Sequence, residues 1–336
     1  MSDFSTLTSN LSNPRLPAGR RAVKTQPGQT QGKPKAKRMN TRPFQQIDVF
    51  SDQPFMGNPL ALVHDAQGMS DADMASMARW TNLSETAFLL PPTHPDADYR
   101  VRIWTPRMEL PFAGHPTLGS CHGWLTRGGA PRQPGVIVQE CAIGLVRIRQ
   151  HNNRLAFAAP PLLETGSIEP ARLDGVIKAL GLRASQVLDH QIIDNGPGWI
   201  GLLLDNAQSV LAIEPDPVAL APYKVGVIGA HVTKDLNADP LTPAAAFEVR
   251  AFAPAGGILE DPVTGSLNAG LASWMIAEGI VTRMLPAEAA NHPNPAYVVS
   301  QGTRLGRRGR LFIEQTGQDI WIGGHTLTTI EGSLNR

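Results

Sequence analysis

The chain has 336 residues, of which 42% are hydrophobic and 18% are charged, a composition typical of a globular protein with a buried core. Its two cysteines are too few for a disulfide framework, which favours a reducing cytoplasm, and no apolar run reaches the length of a membrane span. The formal net charge of +1 is uneven: residues 1–42 carry nine Lys or Arg and one acidic residue, so the remainder is mildly acidic. That balance argues against a nucleic-acid partner.

Residues 1–42 predict a disordered basic tail. The segment is rich in Ser, Thr, Gln, Pro and basic residues, and it lacks the apolar stretch of a secretory signal. Met39 opens a sequence that would serve as an ordinary start, so it is open whether the tail belongs to the protein.

The ordered part begins with strands predicted at FQQIDVF and GNPLALV, followed by a helix that Ser70 caps. ETAFLLPP and the alternating YRVRIWTP predict two further strands. A helix is expected from about Pro116 to Arg127, where Gly128-Gly129 ends it. Three short strands then lead to a double proline, and a first lobe is predicted over residues 43–163.

The second part, residues 164–330, repeats this plan and predicts a second lobe. Its long helix is expected from about Pro262 to Glu278, after the strand FEVRAFAP. Strands alternating with a few helices predict an α+β fold in which each lobe wraps a curled sheet around its long helix.

An internal duplication supports the two lobes. YRVRIWTPRMELPFAGHPTLGS aligns with FEVRAFAPAGGILEDPVTGS across a two-residue gap, which pairs His115-Pro116 with Asp261-Pro262. Two duplicated lobes meet at a cleft, and clefts between domains bind small ligands.

His115 and Asp261 are expected to be the N-caps of the two long helices, since Pro suits the first helical position. Two helix starts that face each other would attract an anion such as a carboxylate or an enolate. Asp is an ordinary cap and His a less usual one, so a purely structural role stays open for both.

Glu85 opens the apolar strand in NLSETAFLL. A carboxylate at the mouth of an apolar strand can be desolvated, which raises its pKa toward the range useful for proton transfer. The alternative is an ordinary surface or ion-paired glutamate.

Four segments in order, DVFSDQPFMGNPLALV, NLSETAFLL, RVRIWTPRMELPFAGHPTLG and EDPVTGS, resemble the PhzF-like phenazine-biosynthesis proteins of the diaminopimelate-epimerase superfamily. The resemblance runs from about Phe44 to the C-terminus. It implies two similar lobes, a homodimer and no cofactor. The best-understood member of that family isomerises trans-2,3-dihydro-3-hydroxyanthranilate, so the resemblance implies a cofactor-free isomerase of a small cyclic carboxylic acid.

The resemblance also implies roles for particular residues. The family's proton-shuttling glutamate falls on Glu85, its active-site histidine on His115 and its aspartate on Asp261. Contacts to the substrate carboxylate fall on Gly265 and Ser266. They have a first-lobe counterpart in the Gly114 backbone, and Asn58 is expected to shape the cleft.

Two other functions stay open. A racemase or epimerase of the same superfamily would need a thiol from each lobe, whereas the matching turn positions are read as Ala113 and Glu260, and Cys121 and Cys141 both belong to the first lobe. A non-catalytic protein that binds small carboxylates is the other alternative. A dinucleotide site at GPGWIG is disfavoured because that pattern leads into a strand, and no His or Cys spacing is typical of a metal site.

Overall fold

The computed structural model describes residues 41–151, 153–231, 244–285 and 295–335. The predicted tail and Met39 lie outside the described residues, except that Thr41 and Arg42 already belong to the first strand. Within the described ranges, no helix has the length and apolar character needed to cross a membrane.

The first half of the described chain is mostly strand. Its elements are β1 (Thr41–Val49), β2 (Asn58–Val63), α1 (Asp71–Thr81), β3 (Thr86–Leu90), β4 (Tyr99–Trp104), β5 (Glu109–Leu110), α2 (Gly114–Thr126), β6 (Val136–Cys141), β7 (Gly144–His151), β8 (Arg154–Ala158) and β9 (Glu164–Gly166).

The second half repeats this pattern with two additional helices, one before its first strand and one directly after its long helix. Its elements are α3 (Pro170–Ala179), β10 (Val187–Asp194), β11 (Ile200–Leu204), α4 (Ala207–Leu211), β12 (Val225–Ala230), β13 (Phe247–Ala253), β14 (Ile258–Asp261), α5 (Gly265–Ala277), α6 (Ile280–Met284), β15 (Ala296–Gln301), β16 (Gly309–Thr316), β17 (Asp319–Gly324) and β18 (Thr326–Asn335).

Local sequence explains several of these elements. Ser70 accepts a hydrogen bond from the Asp73 N–H, and the Asp73 side chain accepts one from the Ser70 N–H, a capping box that fixes the start of α1. Along β4, buried Tyr99, Val101 and Ile103 alternate with half-buried residues, as the sequence pattern predicts.

The two long helices, α2 and α5, are each 13 residues long and are buried on nearly every face. A helix without a polar face must be enclosed by other elements, and here the sheet encloses it. The α+β fold with a curled sheet around each long helix is confirmed.

Strand pairing shows how closely the halves match. In the first half, β4 pairs antiparallel with β3 and β5 and parallel with β6. In the second half, β13 pairs antiparallel with β12 and β14 and parallel with β15. The internal duplication is therefore present in the topology.

The halves also exchange a strand each. β9, which follows β8 in the first half, pairs with β10 of the second half. β18, which follows β17 in the second half, pairs with β1 of the first half. β8 and β17 pair directly and complete a continuous sheet. The last strand therefore lies against the first half, although the sequence places residues up to 330 in the second lobe. The lobe boundaries stay a proposal.

The register corrects the sequence alignment of the two long helices. Ile103 pairs with Leu110 as Ala251 pairs with Asp261, so the segments that match are Glu109-Leu110-Pro111 and Glu260-Asp261-Pro262. The predicted pairing of His115-Pro116 with Asp261-Pro262 is wrong. The error arises because a short 3-10 turn, Pro254–Gly256, lengthens the loop between β13 and β14.

A repeated ion pair confirms this register. Arg102 on β4 donates two hydrogen bonds to Glu109 at 2.7 and 2.6 Å. Arg250 on β13 donates two to Glu260 at 2.9 and 2.7 Å. Each bidentate ion pair holds the short strand before a long helix against the neighbouring strand, and so positions the start of that helix.

The starts of α2 and α5 touch through glycine. A Cβ atom placed on Gly114 would lie 2.7 Å from the Gly265 Cα and 2.9 Å from the Ser266 backbone N. A Cβ atom on Gly265 would lie 2.9 Å from the Gly114 Cα. Because the obstructing atoms are backbone, no side-chain rotation can make room, and this approach requires glycine on both sides.

We predict that Gly114→Ala lowers the free energy of unfolding by about 1–3 kcal/mol, the usual cost of overpacking. Urea denaturation measures the change. Gly332→Ala is the matched control, since a Cβ atom there has no heavy atom within 4 Å, and it should change stability by less than about 0.5 kcal/mol. Equal stability of Gly114→Ala and the control would contradict the close contact.

Candidate active site

A cavity of about 300 Å³ lies where the two halves meet, beside the starts of α2 and α5. The predicted residues Glu85, Asp261 and Ser266 line its wall, together with apolar side chains that include Phe112 and Trp199. A mostly apolar cavity with a few convergent polar groups is typical of small-molecule sites.

Glu85 lies immediately before β3, with its side chain 15% exposed. Its Oε2 atom is 3.4 Å from the Nε2 atom of His115, whose side chain is 4% exposed. His115 lies in the first turn of α2, behind the cavity wall.

Asn58, at the start of β2, connects the two halves from a fully buried position. Its Nδ2 atom is 2.9 Å from the Asp261 Oδ1, 2.9 Å from the Val263 carbonyl oxygen and 3.3 Å from the His115 Nδ1. Since an amide nitrogen only donates, this contact favours the histidine tautomer that accepts at Nδ1 and carries its proton at Nε2, facing Glu85. Asn58 therefore orients the catalytic candidates from behind.

Asp261, the last residue of β14, accepts hydrogen bonds from three side chains. Asn58 and Ser84 donate to its Oδ1, at 2.9 and 3.3 Å, and the Thr264 hydroxyl donates to its Oδ2 at 2.6 Å. The carboxylate thus has a fixed orientation at the wall of the cavity.

Burial dominates the electrostatics of these groups. It raises the pKa of Glu85 well above the usual range, the nearby Asp261 carboxylate raises it further, and Lys224 acts in the opposite direction. Burial also raises the pKa of Asp261, although the hydrogen bonds that it accepts oppose the shift. For His115, burial lowers the pKa to about 3, which leaves the imidazole neutral at physiological pH.

The two helix starts have no side-chain cap. The first N–H groups of a helix have no acceptor within the helix, and the helix dipole adds positive potential there. On the second half, Ser266 is held in place because its hydroxyl accepts from the Trp199 indole at 3.1 Å and its carbonyl oxygen accepts from Asn195 at 2.8 Å. The paired starts of Gly114 and Gly265 are therefore suited to binding a carboxylate.

The expectation that His115 and Asp261 are N-caps is wrong. The cap positions are Ala113 and Thr264, since α2 begins one residue before His115 and α5 begins four residues after Asp261. Proline therefore does not mark the first helical residue in either half. The counterpart of Ala113 is Thr264 rather than Glu260, and neither cap position holds a cysteine.

The structure brings the predicted residues together at one place, but not all of them reach the cavity. Asn58 and His115 lie behind its wall, whereas Gly114 and Gly265 directly adjoin the lining residues Ala113, Thr264 and Ser266. Sequence reasoning missed Lys224 and Trp199, which line the cavity, and Thr264, which holds Asp261. Trp199 lies in the GPGWIG segment, which the sequence already singles out. The position of Lys224 at the cavity can be inferred only once the strand register is known.

Cys121 lies inside α2 and Cys141 at the end of β6, and both are buried with free thiols. Across the described ranges, no three His, Cys, Asp or Glu side chains are grouped as they would be to ligate a metal ion.

The sequence model of the phenazine biosynthesis-like proteins, PhzC-PhzF, matches residues 47–332. This chain belongs to that family. Trans-2,3-dihydro-3-hydroxyanthranilate isomerase of Pseudomonas aeruginosa is 31% identical over 86% of this chain and 94% of its own length. Antisense-enhancing sequence 1 of Schizosaccharomyces pombe, whose name states no reaction, is 34% identical over 88% of this chain and 99% of its own length.

Solved structures agree with this PhzF-family membership at the level of the fold. The PhzF-family protein of Bacillus anthracis matches with a TM-score of 0.70 and 20% identity, over 88% of this chain and 99% of that chain. A hydroxyproline epimerase of Agrobacterium vitis matches with a TM-score of 0.50 and 13% identity, over 89% and 93% of the two chains. The diaminopimelate-epimerase-like fold is thereby confirmed.

We predict that the His115 imidazole stays neutral from pH 8 down to pH 5. Because its folded pKa lies below the unfolded value of about 6.5, His115 contributes stability that is present above that pH and lost as the pH falls toward 3. Between pH 7 and pH 5 the wild type should therefore lose about 2 kcal/mol more unfolding free energy than His115→Gln.

Imidazole nitrogen shifts in NMR spectra and urea denaturation at both pH values measure these two effects. A titration midpoint of His115 above pH 5 would contradict the buried neutral state.

Proposed function

We propose that this chain, an isomerase by family, moves a proton within a small cyclic carboxylic acid without a cofactor, with Glu85 as the single acid–base group. The observation that supports this most strongly is the position of Glu85 on the wall of the cavity, 15% exposed and 3.4 Å from His115. Burial raises its pKa above the usual range of a glutamate, which favours a carboxyl group that both takes and returns a proton.

The substrate carboxylate would lie at the two helix starts, against the backbone of Gly114, Gly265 and Ser266. Glu85 would remove a proton from a carbon next to the unsaturated system, and the electron pair of that C–H bond would shift the adjacent double bond. The same proton would then form a new C–H bond elsewhere on the conjugated frame. Negative charge that develops in between would be stabilised by the helix starts, which need no rearrangement during the reaction.

His115 would donate its Nε2 proton to the Glu85 carboxylate as a hydrogen bond, which keeps that carboxylate oriented toward the substrate. Asp261 would hold the opposite side of the substrate through a hydrogen bond. Both roles depend on Asn58, which contacts His115 and Asp261 at the same time.

Thiol-based racemisation has less support. The cap positions of α2 and α5 hold Ala113 and Thr264, and burial raises the pKa of the Cys121 and Cys141 thiols. A low-pKa, accessible thiol is what such chemistry requires. A homodimer and a cytoplasmic location stay predictions.

We predict that Glu85→Gln lowers turnover of trans-2,3-dihydro-3-hydroxyanthranilate by at least about 100-fold, because the amide cannot take or return a proton. Binding of the same compound should change by less than a few fold. NMR in deuterated water measures turnover and deuterium uptake, first for this compound and then for a panel of cyclic hydroxy and amino acids. Calorimetry measures binding.

Glu164→Gln is the matched control, since Glu164 is exposed on β9 and should leave both quantities unchanged. Full turnover by Glu85→Gln would show that the acid–base assignment is wrong. Tight binding without turnover across the whole panel would favour the non-catalytic alternative.

A further inference from the structure

Lys224 occupies the place in the second half that Glu85 occupies in the first. Glu85 directly precedes β3, whose first residue, Thr86, pairs with Trp104. Lys224 directly precedes β12, whose first residue, Val225, pairs with Phe252. Since β3 corresponds to β12 and β4 to β13, the two side chains enter the shared cavity from matching strand ends, and both line it.

The Lys224 ammonium is held in a fixed position. Its Nζ atom donates a hydrogen bond to the Pro197 carbonyl oxygen at 2.6 Å, and Pro197 also lines the cavity. Burial lowers the pKa of Lys224, the Asp194 and Glu85 carboxylates act in the opposite direction, and among the described residues Lys224 forms an ion pair with neither. An ammonium has three N–H donors, so two are available to a ligand.

Side chains of both signs line the cavity, Lys224 and Arg107 together with Glu85 and Asp261, and burial raises the pKa of both carboxyl groups. The two uncapped helix starts already provide a site for one carboxylate. His115 is neutral and adds no positive charge, whereas Lys224 brings an ammonium to the cavity wall, where Pro197 holds it.

We infer that Lys224 is a specificity-determining residue that binds a second anionic group of the substrate. Among the small cyclic carboxylic acids of the proposed function, the preferred substrates are therefore those with a second carboxylate, one bound at the helix starts and the other at Lys224, whereas a monocarboxylate such as trans-2,3-dihydro-3-hydroxyanthranilate binds at the helix starts alone and more weakly. This inference rests on the proposed function for the position of the first carboxylate. The cavity volume, at the lower end of the range for ligand sites, restricts the class to small molecules.

Calorimetry with two probes tests the inference. Benzoate carries one carboxylate, and benzene-1,3-dicarboxylate carries a second on the same ring. The wild type should bind the dicarboxylate at least about tenfold more tightly, the gain expected from a charge-assisted hydrogen bond. Lys224→Met should remove that preference and change benzoate binding by less than twofold, whereas Lys224→Arg should keep most of it.

Lys178→Met is the matched control, since Lys178 lies in the last turn of α3 outside the cavity and should retain the full preference. Circular dichroism checks folding. If Lys224→Met does not fold, Lys224→Gln, which keeps an N–H donor for Pro197, replaces it with the same expected loss.

Equal affinity of the wild type for both probes would overturn the inference, and so would a preference for the dicarboxylate that survives removal of the Lys224 charge. A third contradicting result is that neither probe binds at a concentration of about 10 mM, which is on the order of the weakest specific dissociation constants. The proposed function fails separately, through full turnover by Glu85→Gln, because the calorimetric test involves no turnover.

Discussion

The contact between Gly114 and Gly265 is the constraint on which the rest of the site depends. It brings the positive ends of two buried helices together with no side-chain cap on either. Two such ends repel each other, and burial strengthens the repulsion, so the arrangement favours negative charge close by. The Asp261 carboxylate lies there in the free protein, and a substrate carboxylate would add to it. Glycine at both starts is therefore a requirement for this geometry, and for the carboxylate site that we propose there.

A symmetric scaffold carries an asymmetric set of side chains. Once the strand register is aligned, Glu85 corresponds to Lys224, His115 to Ser266 and Leu110 to Asp261. The repeated arginine–glutamate pairs and the exchanged strands hold the scaffold in place, while the residues that face the join differ between halves. This division lets one cavity present a carboxyl group from the first half, the proposed proton carrier, and an ammonium from the second half.

Much of this could be predicted from the sequence. Alternation in YRVRIW predicted β4, and Ser70 predicted the start of α1, because both signals are local. The sequence alignment of the two long helices was wrong because it paired Pro116 with Pro262. The 3-10 turn Pro254–Gly256 lengthens the second-half loop, so the correct pairing of Pro111 with Pro262 requires a gap that the sequence does not indicate. The pairing of β18 with β1 joins residues nearly 300 positions apart, as Thr41 with Asn335, and no local pattern reports it. Lys224 was missed for the same reason, since its role follows from register rather than from a motif.

The most direct test of the account is a crystal structure of Glu85→Gln with trans-2,3-dihydro-3-hydroxyanthranilate bound. We expect the ligand carboxylate within hydrogen-bond distance of the backbone N–H groups at Gly265 and Ser266, with the side chain at position 85 over the ring. A ligand bound elsewhere, for example in the groove beside Arg149 and Trp321, with the two helix starts unoccupied, would contradict it.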